Sequence, residues 1–105
     1  MATSNPPYKN EAFTFGTPVE DYANPGNFKV NPTIAAGDWK ISKDDGAFAN
    51  LATTPTVSPA GSTRIKITLS ADEMNADNVS IQGIDQTSPK EWSDFFLEIP
   101  TPVAP

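Results

Sequence analysis

The sequence contains no cysteine and no histidine. Without cysteine there is no disulfide framework and no thiolate metal site, so the fold must rest on packing and hydrogen bonds. Without histidine, the usual Ser-His and Cys-His catalytic arrangements are excluded, together with most zinc, copper and haem sites. The sequence therefore predicts a cofactor-free chain, and the lack of cysteine fits assembly in a reducing cytoplasm.

Basic residues are scarce and apolar runs are short. Seven Lys and Arg against 13 Asp and Glu give a net charge of −6, which repels nucleic-acid phosphates and anionic lipid headgroups. Only Arg64 and Lys66 share a strand face, and two cations do not make a basic stripe. Because no apolar run reaches the length of a membrane span and residues 1–10 lack an apolar signal core, we expect a soluble protein made in the cytoplasm, with neither nucleic acid nor a membrane as partner.

The eleven prolines are the strongest local signal. Each proline fixes φ and removes a backbone donor, so it is excluded from helix interiors and central strands. Between them lie short runs rich in β-branched and aromatic residues, which predict strands. The predicted strands are 11–17, 28–30, 37–42, 47–51, 62–69, 78–84 and 92–99.

Period-two alternation assigns a buried face to each of the stronger strands. The side chains predicted to face the core are Phe13, Phe15, Trp39, Ile41, Ile65, Ile67, Leu69, Val79, Ile81, Phe95, Leu97 and Ile99. Between strands, the run from Asp44 to Gly46 predicts a tight hairpin. Ser70 and Glu73 have the spacing of a capping box, which predicts one short helical turn over residues 71–76.

About seven short strands separated by turn signals predict an all-β fold, an immunoglobulin-like antiparallel β-sandwich, with a small barrel or jelly roll as the alternative. We divide the chain into an N-terminal arm (residues 1–10), a β-sandwich domain (residues 11–99) and a C-terminal tail (residues 100–105). Both terminal segments are rich in proline and are predicted to be mobile.

Candidate sites for chemistry are weak. The carboxylates fall mainly in turns or on solvent-facing positions such as Asp94 and Glu98, which does not favour a catalytic pair. Two acidic groups raise the question of calcium, one at Asp72, Glu73 and Asp77 and the other at Asp44 and Asp45. Neither matches an EF-hand loop, and a capping box and a hairpin turn account for them. No glycine-rich phosphate loop is present.

Aromatic residues are the better candidates for contact with a partner. Alternation in the last strand places Trp92 and Phe96 on the face opposite the core, where an apolar stripe forms a contact surface unless a loop or terminus covers it. Tyr8 and Tyr22 lie outside the predicted strands. The candidate partner-contact residues are therefore Tyr8, Tyr22, Trp92 and Phe96, and stacking on sugar rings is one use of such residues.

Two segments carry a family resemblance. Residues 37–51 (GDWKISKDDGAFANL) and 59–79 (PAGSTRIKITLSADEMNADNV) combine a strand, a Lys-Asp-Gly-type hairpin, a second strand and a Leu-Ser-Ala-x-Glu turn. In this they resemble small immunoglobulin-like virion structural proteins of tailed bacteriophages, and the likeness extends over about residues 12–99. The resemblance implies a non-enzymatic β-sandwich on a virus particle, bound to capsid or to neck or tail proteins.

Two functions follow as hypotheses. The first is a capsid decoration protein, present in many copies or as a homo-oligomer, whose weak single contacts add up on a repeating lattice. The second is a tail- or neck-associated module that binds carbohydrate or the host cell surface through Trp92 and Tyr22. Both place the mature protein in the virion.

Overall fold

The computed structural model describes residues 6–105, which form two antiparallel sheets. The strands are β1 (Phe13–Thr17), β2 (Trp39–Lys43), β3 (Ala49–Asn50), β4 (Thr56–Val57), β5 (Ile65–Leu69), β6 (Asn78–Gly83) and β7 (Phe95–Pro100). One sheet has the order β1-β5-β4 and the other the order β3-β2-β6-β7. The predicted all-β sandwich is confirmed.

Among residues 6–105, the strand order is that of an immunoglobulin domain without strand A. Immunoglobulin sheets have the orders A-B-E-D and C-F-G, and variable-type domains add C′ beside C. When β1 is aligned with strand B, the sheets here read B-E-D and C′-C-F-G. The buried tryptophan that marks strand C of such domains corresponds to Trp39 on β2, which is only 2% exposed.

Alternation within the strands fills the space between the sheets. From the three-stranded sheet, Ile65, Ile67 and Leu69 are completely buried, and Phe13 and Phe15 pack against them from β1. The facing sheet contributes Trp39, Ile41, Val79, Ile81 and Ile99. All twelve side chains predicted to face the core lie in this cluster or pack against it.

The observed strands differ most from the predicted ones at residues 28–30, at β4 and at the start of the last strand. Residues 28–30 make only an isolated bridge between Phe28 and Glu20, and the two-residue strand β4 was not predicted. The last strand begins at Phe95 rather than at position 92, and Trp92 pairs instead with Asp21 in an isolated bridge.

The segment after β5 forms turns without a helix. The predicted capping box is present: Ser70 Oγ accepts from the Glu73 N–H at 3.1 Å, and Glu73 Oε1 accepts from the Ser70 N–H at 2.9 Å. The Met74 N–H donates to the Ser70 carbonyl at 3.0 Å, which closes a single helix-like turn. The other carboxylate oxygen of Glu73 accepts from the Ala52 N–H at 2.9 Å, so this buried side chain joins two connections.

The termini meet at one end of the domain. The Lys9 N–H donates to the Pro102 carbonyl at 2.8 Å, and the Asn10 N–H donates to the Met74 carbonyl at 3.0 Å. Thr101 is buried, and its hydroxyl donates to the Ala76 carbonyl. The described part of the predicted N-terminal arm is thus attached to the domain, and the rest of the arm, residues 1–5, lies outside the described residues.

Candidate docking surfaces

Three of the four candidate contact residues lie in different places. Tyr22 is 56% exposed in the connection between β1 and β2, and the Lys90 ammonium lies 5.7 Å from the centre of its ring. Phe96 is 59% exposed on the outer face of β7. Tyr8 is half-buried near the N-terminus. In the part of the chain that the structure describes, no stacked or tilted ring pair includes any of these three residues.

The surface position predicted for Trp92 is wrong. Its side chain is completely buried, its ring stacks on Trp39 with centroids 5.4 Å apart, and its Nε1 donates to the Thr33 carbonyl at 3.2 Å. The physical reason is that Trp92 precedes the strand, so the period-two register of β7 does not extend to it. A side chain in the core is not available to a partner, so Trp92 is not a docking residue.

Buried carboxylates hold the connections of the domain in place. Asp38 accepts from the N–H groups of Ala35 and Gln86, at 2.9 and 3.1 Å. Asp85 accepts from the N–H groups of Thr87, Glu91 and Trp92, at 2.9, 2.6 and 3.3 Å. Both carboxylates therefore accept hydrogen bonds from backbone N–H groups. The sequence did not predict this structural role, because the acidic residues were expected mainly in turns or at solvent-facing positions.

The environment of Asp85 has opposing effects on its ionisation. Burial by itself raises the pKa of this carboxyl, whereas the hydrogen bonds from Thr87, Glu91 and Trp92 lower it. The hydrogen bonds outweigh burial, and the pKa of Asp85 lies below its ordinary value. Asp85 is therefore a charged structural group at neutral pH, whose donors fix the loop before β7.

The Lys90 ammonium, by contrast, is held at the surface. It contacts Asp94 at 2.5 Å, and this hydrogen bond raises the pKa of Lys90. The ammonium also lies beside the exposed Tyr22 ring.

Neither acidic group considered for calcium is arranged as a metal site. Asp44 Oδ1 accepts from the N–H groups of Asp77 and Asn78, at 3.0 and 2.9 Å, and Glu73 belongs to the capping box. Among residues 6–105, no group of three or more acidic side chains is placed to hold a metal ion. Within the same residues, no helix is long and apolar enough to cross a membrane.

A shallow groove of about 240 Å³ lies at the end of β1. Its lining residues are Gly16, Thr17, Pro18, Phe28, Thr63 and Arg64. Ligand pockets for small molecules usually have about 300 to 1,000 Å³, so this groove is sized for one side chain or one sugar ring. Phe28, 61% exposed, forms one wall. Sequence reasoning noted Arg64 but did not connect it with Phe28, because the fold brings them together from distant positions.

The edge of β1 adjoins this groove. β1 pairs with β5 through the register Phe13↔Leu69 to Thr17↔Ile65. On its other side, no backbone hydrogen bond from residues 6–105 reaches it. This edge is where strand A of an immunoglobulin domain would lie.

A second surface is the outer face of the four-stranded sheet. The register aligns Asn50, Lys40, Gln82 and Phe96 in one row across β3, β2, β6 and β7. Ser80 lies in the adjacent row and donates to Glu98 at 2.7 Å. This row therefore exposes an aromatic ring among amide and charged side chains.

Comparison of this chain with protein-family models, with curated proteins and with solved structures finds no match.

Proposed function

We propose that this chain is a non-enzymatic structural protein of a bacteriophage particle, a capsid decoration protein that docks through the surface of its sandwich. The observation that carries the proposal is the open edge of β1 beside the exposed Phe28 and Arg64. An unpaired strand edge offers a row of backbone donors and acceptors to another chain. We infer that the partner is a phage particle because residues 37–51 and 59–79 resemble small phage structural proteins.

The charge distribution supports attachment through this sheet. Arg64 and Lys66 project from the outer face of a domain whose net charge is −6. Of the seven basic residues, only Lys9 and Lys90 form ion pairs within the described residues. The five basic residues that form none within this range include Lys40 and Lys43 on β2, but Arg64 and Lys66 share one strand face, and an acidic segment is attracted to that face of the three-stranded sheet.

Purified particles test the proposal. Particles produced by the genome that encodes this chain are banded on a density gradient and their proteins quantified by mass spectrometry. We expect the chain in the particle band in many copies, with a replication enzyme of the same genome as the control that stays in the lysate. Recovery of the chain only in the lysate would reject the virion role.

The second hypothesis, carbohydrate or host-surface binding by a tail- or neck-associated module, now depends on a different residue. Trp92 is buried, so the exposed candidate rings left for sugar stacking are Tyr22 and Phe96, and Phe96 lies in a row with Gln82 and Lys40. A glycan array with the wild-type chain and with Phe96→Ala tests it. Saturable binding that Phe96→Ala abolishes supports this function, and an array without signal removes it.

A further inference from the structure

The two longer sheet edges differ in how they are protected. Natural proteins protect edge strands with charged residues, prolines or bulges, because a bare edge pairs with other chains. β7 carries Glu98 and ends in Pro100. β1, with the sequence FTFGT, contains neither a charged residue nor a proline. Of these two edges, β1 is the one suited to receive another strand.

Arg64 extends over this edge because residue 16 has no side chain. A Cβ built on Gly16 would lie 2.2 Å from Arg64 Nε and 2.9 Å from Arg64 Cζ. The guanidinium therefore occupies the space above β1 that a side chain at position 16 would fill. Arg64 also donates to the Ser58 carbonyl at 2.8 Å, which fixes its orientation.

An added strand would bring a side chain within reach of this guanidinium. Directly opposed residues on neighbouring antiparallel strands have Cβ atoms about 4.5 to 5.5 Å apart. An acidic residue opposite Gly16 would thus place its carboxylate beside Arg64. The side chain two positions further along the added strand points to the same face, and it would lie in the apolar groove beside Pro18 and Phe28.

We propose that the β1 edge binds an extended segment of the partner protein by β-strand addition, with an acidic side chain of that segment against Arg64 and an apolar side chain in the groove. The backbone of β1 supplies affinity, and Arg64 and the groove supply specificity. This inference rests on the proposed docking role and names the chemistry of the partner.

A second copy of this chain fits the edge less well. Self-pairing through β1 opposes FTFGT to itself, so no acidic residue comes opposite Gly16. It also leaves Arg64 of each copy without a carboxylate. The charge of the site therefore selects a different, acidic segment.

Nuclear magnetic resonance of the intact chain with synthetic peptides tests the inference. The probe is a short blocked peptide of threonine and valine that carries one aspartate and, two positions away, one leucine. Its counterpart has lysine in place of the aspartate. We expect amide shifts and slowed hydrogen exchange at Phe13–Thr17, and about fivefold tighter binding of the aspartate peptide, the size of an exposed charge contact.

Three variants sharpen the test. Arg64→Glu is expected to make the lysine peptide bind more tightly than the aspartate peptide. Gly16→Val keeps every charge but displaces the guanidinium, so the two peptides are expected to bind this variant with equal affinity. Lys40→Glu makes the same kind of charge reversal on the other sheet and is expected to leave the preference unchanged.

The inference is wrong if neither peptide shifts the β1 amides, if the shifts fall on Phe95–Pro100, or if both peptides bind equally. It is also wrong if the chain dimerises through β1 and excludes the peptides. Because the particle assay is independent, a failed peptide test with the chain present on particles rejects only this binding mode. Peptide binding with the chain absent from particles rejects the virion role instead.

Discussion

Two strand glycines are expected to respond differently to the same substitution. A Cβ on Gly83 would lie 2.9 Å from the Trp39 ring, which is fixed between Trp92 and Phe95 in the core. We expect Gly83→Ala to lower the free energy of unfolding by about 1 to 3 kcal/mol, as overpacking does. At Gly16 the obstacle is the flexible end of Arg64, so Gly16→Ala is expected to change stability by less than about 0.5 kcal/mol.

Urea denaturation of both alanine variants checks this expectation. The wild-type chain and both variants are compared at equal protein concentration. Equal losses of stability in the two variants would contradict the account, since they would show that the Trp39 ring moves as easily as the Arg64 side chain.

Asp85 is predicted to make stability depend on pH in the acid range. Its pKa is lower in the folded chain than in the unfolded one, so its contribution is complete above the ordinary carboxyl pKa of about 4 and is lost as pH falls through its lowered folded value. Asp85→Asn is expected to cost about 1 to 3 kcal/mol at neutral pH, because a charged acceptor of three backbone donors is lost.

Unfolding curves of Asp85→Asn between neutral pH and pH 3 test this prediction. The difference in stability from wild type should shrink as the pH falls below about 4. Asp45→Asn, which makes the same substitution at an exposed position in the hairpin turn, is measured alongside as the matched control. A difference that stays constant over this pH range would contradict the assigned role of Asp85.

Trp92 shows where residue-level patterns stop being informative. Alternation places residues correctly from Phe95 to Ile99, because these positions belong to one continuous strand. β7 begins only at Phe95, and Trp92 enters the core from a loop that Asp85 fixes. Neither the start of the strand nor the carboxylate that fixes the loop has a local sequence signal.

At the scale of elements, the hairpin between β2 and β3 depends on two aspartates in different ways. Asp44 and Asp45 have φ angles of 51° and 64°, and the Gly46 N–H donates to the Lys43 carbonyl at 2.9 Å. Positive φ at both central residues defines a type I′ turn, which glycine adopts more easily than aspartate. Only Asp44 also binds the backbone of the neighbouring loop through its carboxylate.

The same substitution should therefore have opposite effects at the two positions. Asp45→Gly is expected to raise the free energy of unfolding by up to about 1 kcal/mol, because it removes strain at positive φ. Asp44→Gly relieves the same strain but loses two hydrogen bonds, with a net loss of about 1 to 2 kcal/mol. Thermal unfolding of the two variants measures both signs, and stabilisation by Asp44→Gly would refute the bridging role of its carboxylate.

For the strands themselves, the sequence was informative where alternation is long. β1, β2, β5 and β6 were predicted within a few residues, and their buried faces correctly. β4 was missed because a strand of two residues between Pro55 and Pro59 is too short to show alternation of polar and apolar side chains. Residues 28–30 alternate like a strand, but they fold back on residues 19–21 and pair only at Phe28.

At the scale of the whole molecule, the proposed docking surface could not be predicted from the sequence because it is made by strand order. The β1 edge is open because residues 8–10 bind near Met74 and Pro102 and leave the position of strand A empty among the described residues. Gly16, Phe28 and Arg64 are distant in sequence and meet only in the folded domain. Composition alone gives the acidic character of the chain.

The central claim is that this domain attaches to a phage particle by its surface, and adding purified chain to particles that lack it tests this most directly. Co-sedimentation is measured over a range of chain concentrations, with Lys40→Glu and Arg64→Glu alongside the wild type. The account predicts saturable binding of many copies per particle, retained by Lys40→Glu and weakened by Arg64→Glu. Particles that sediment without any bound chain at every concentration would contradict it.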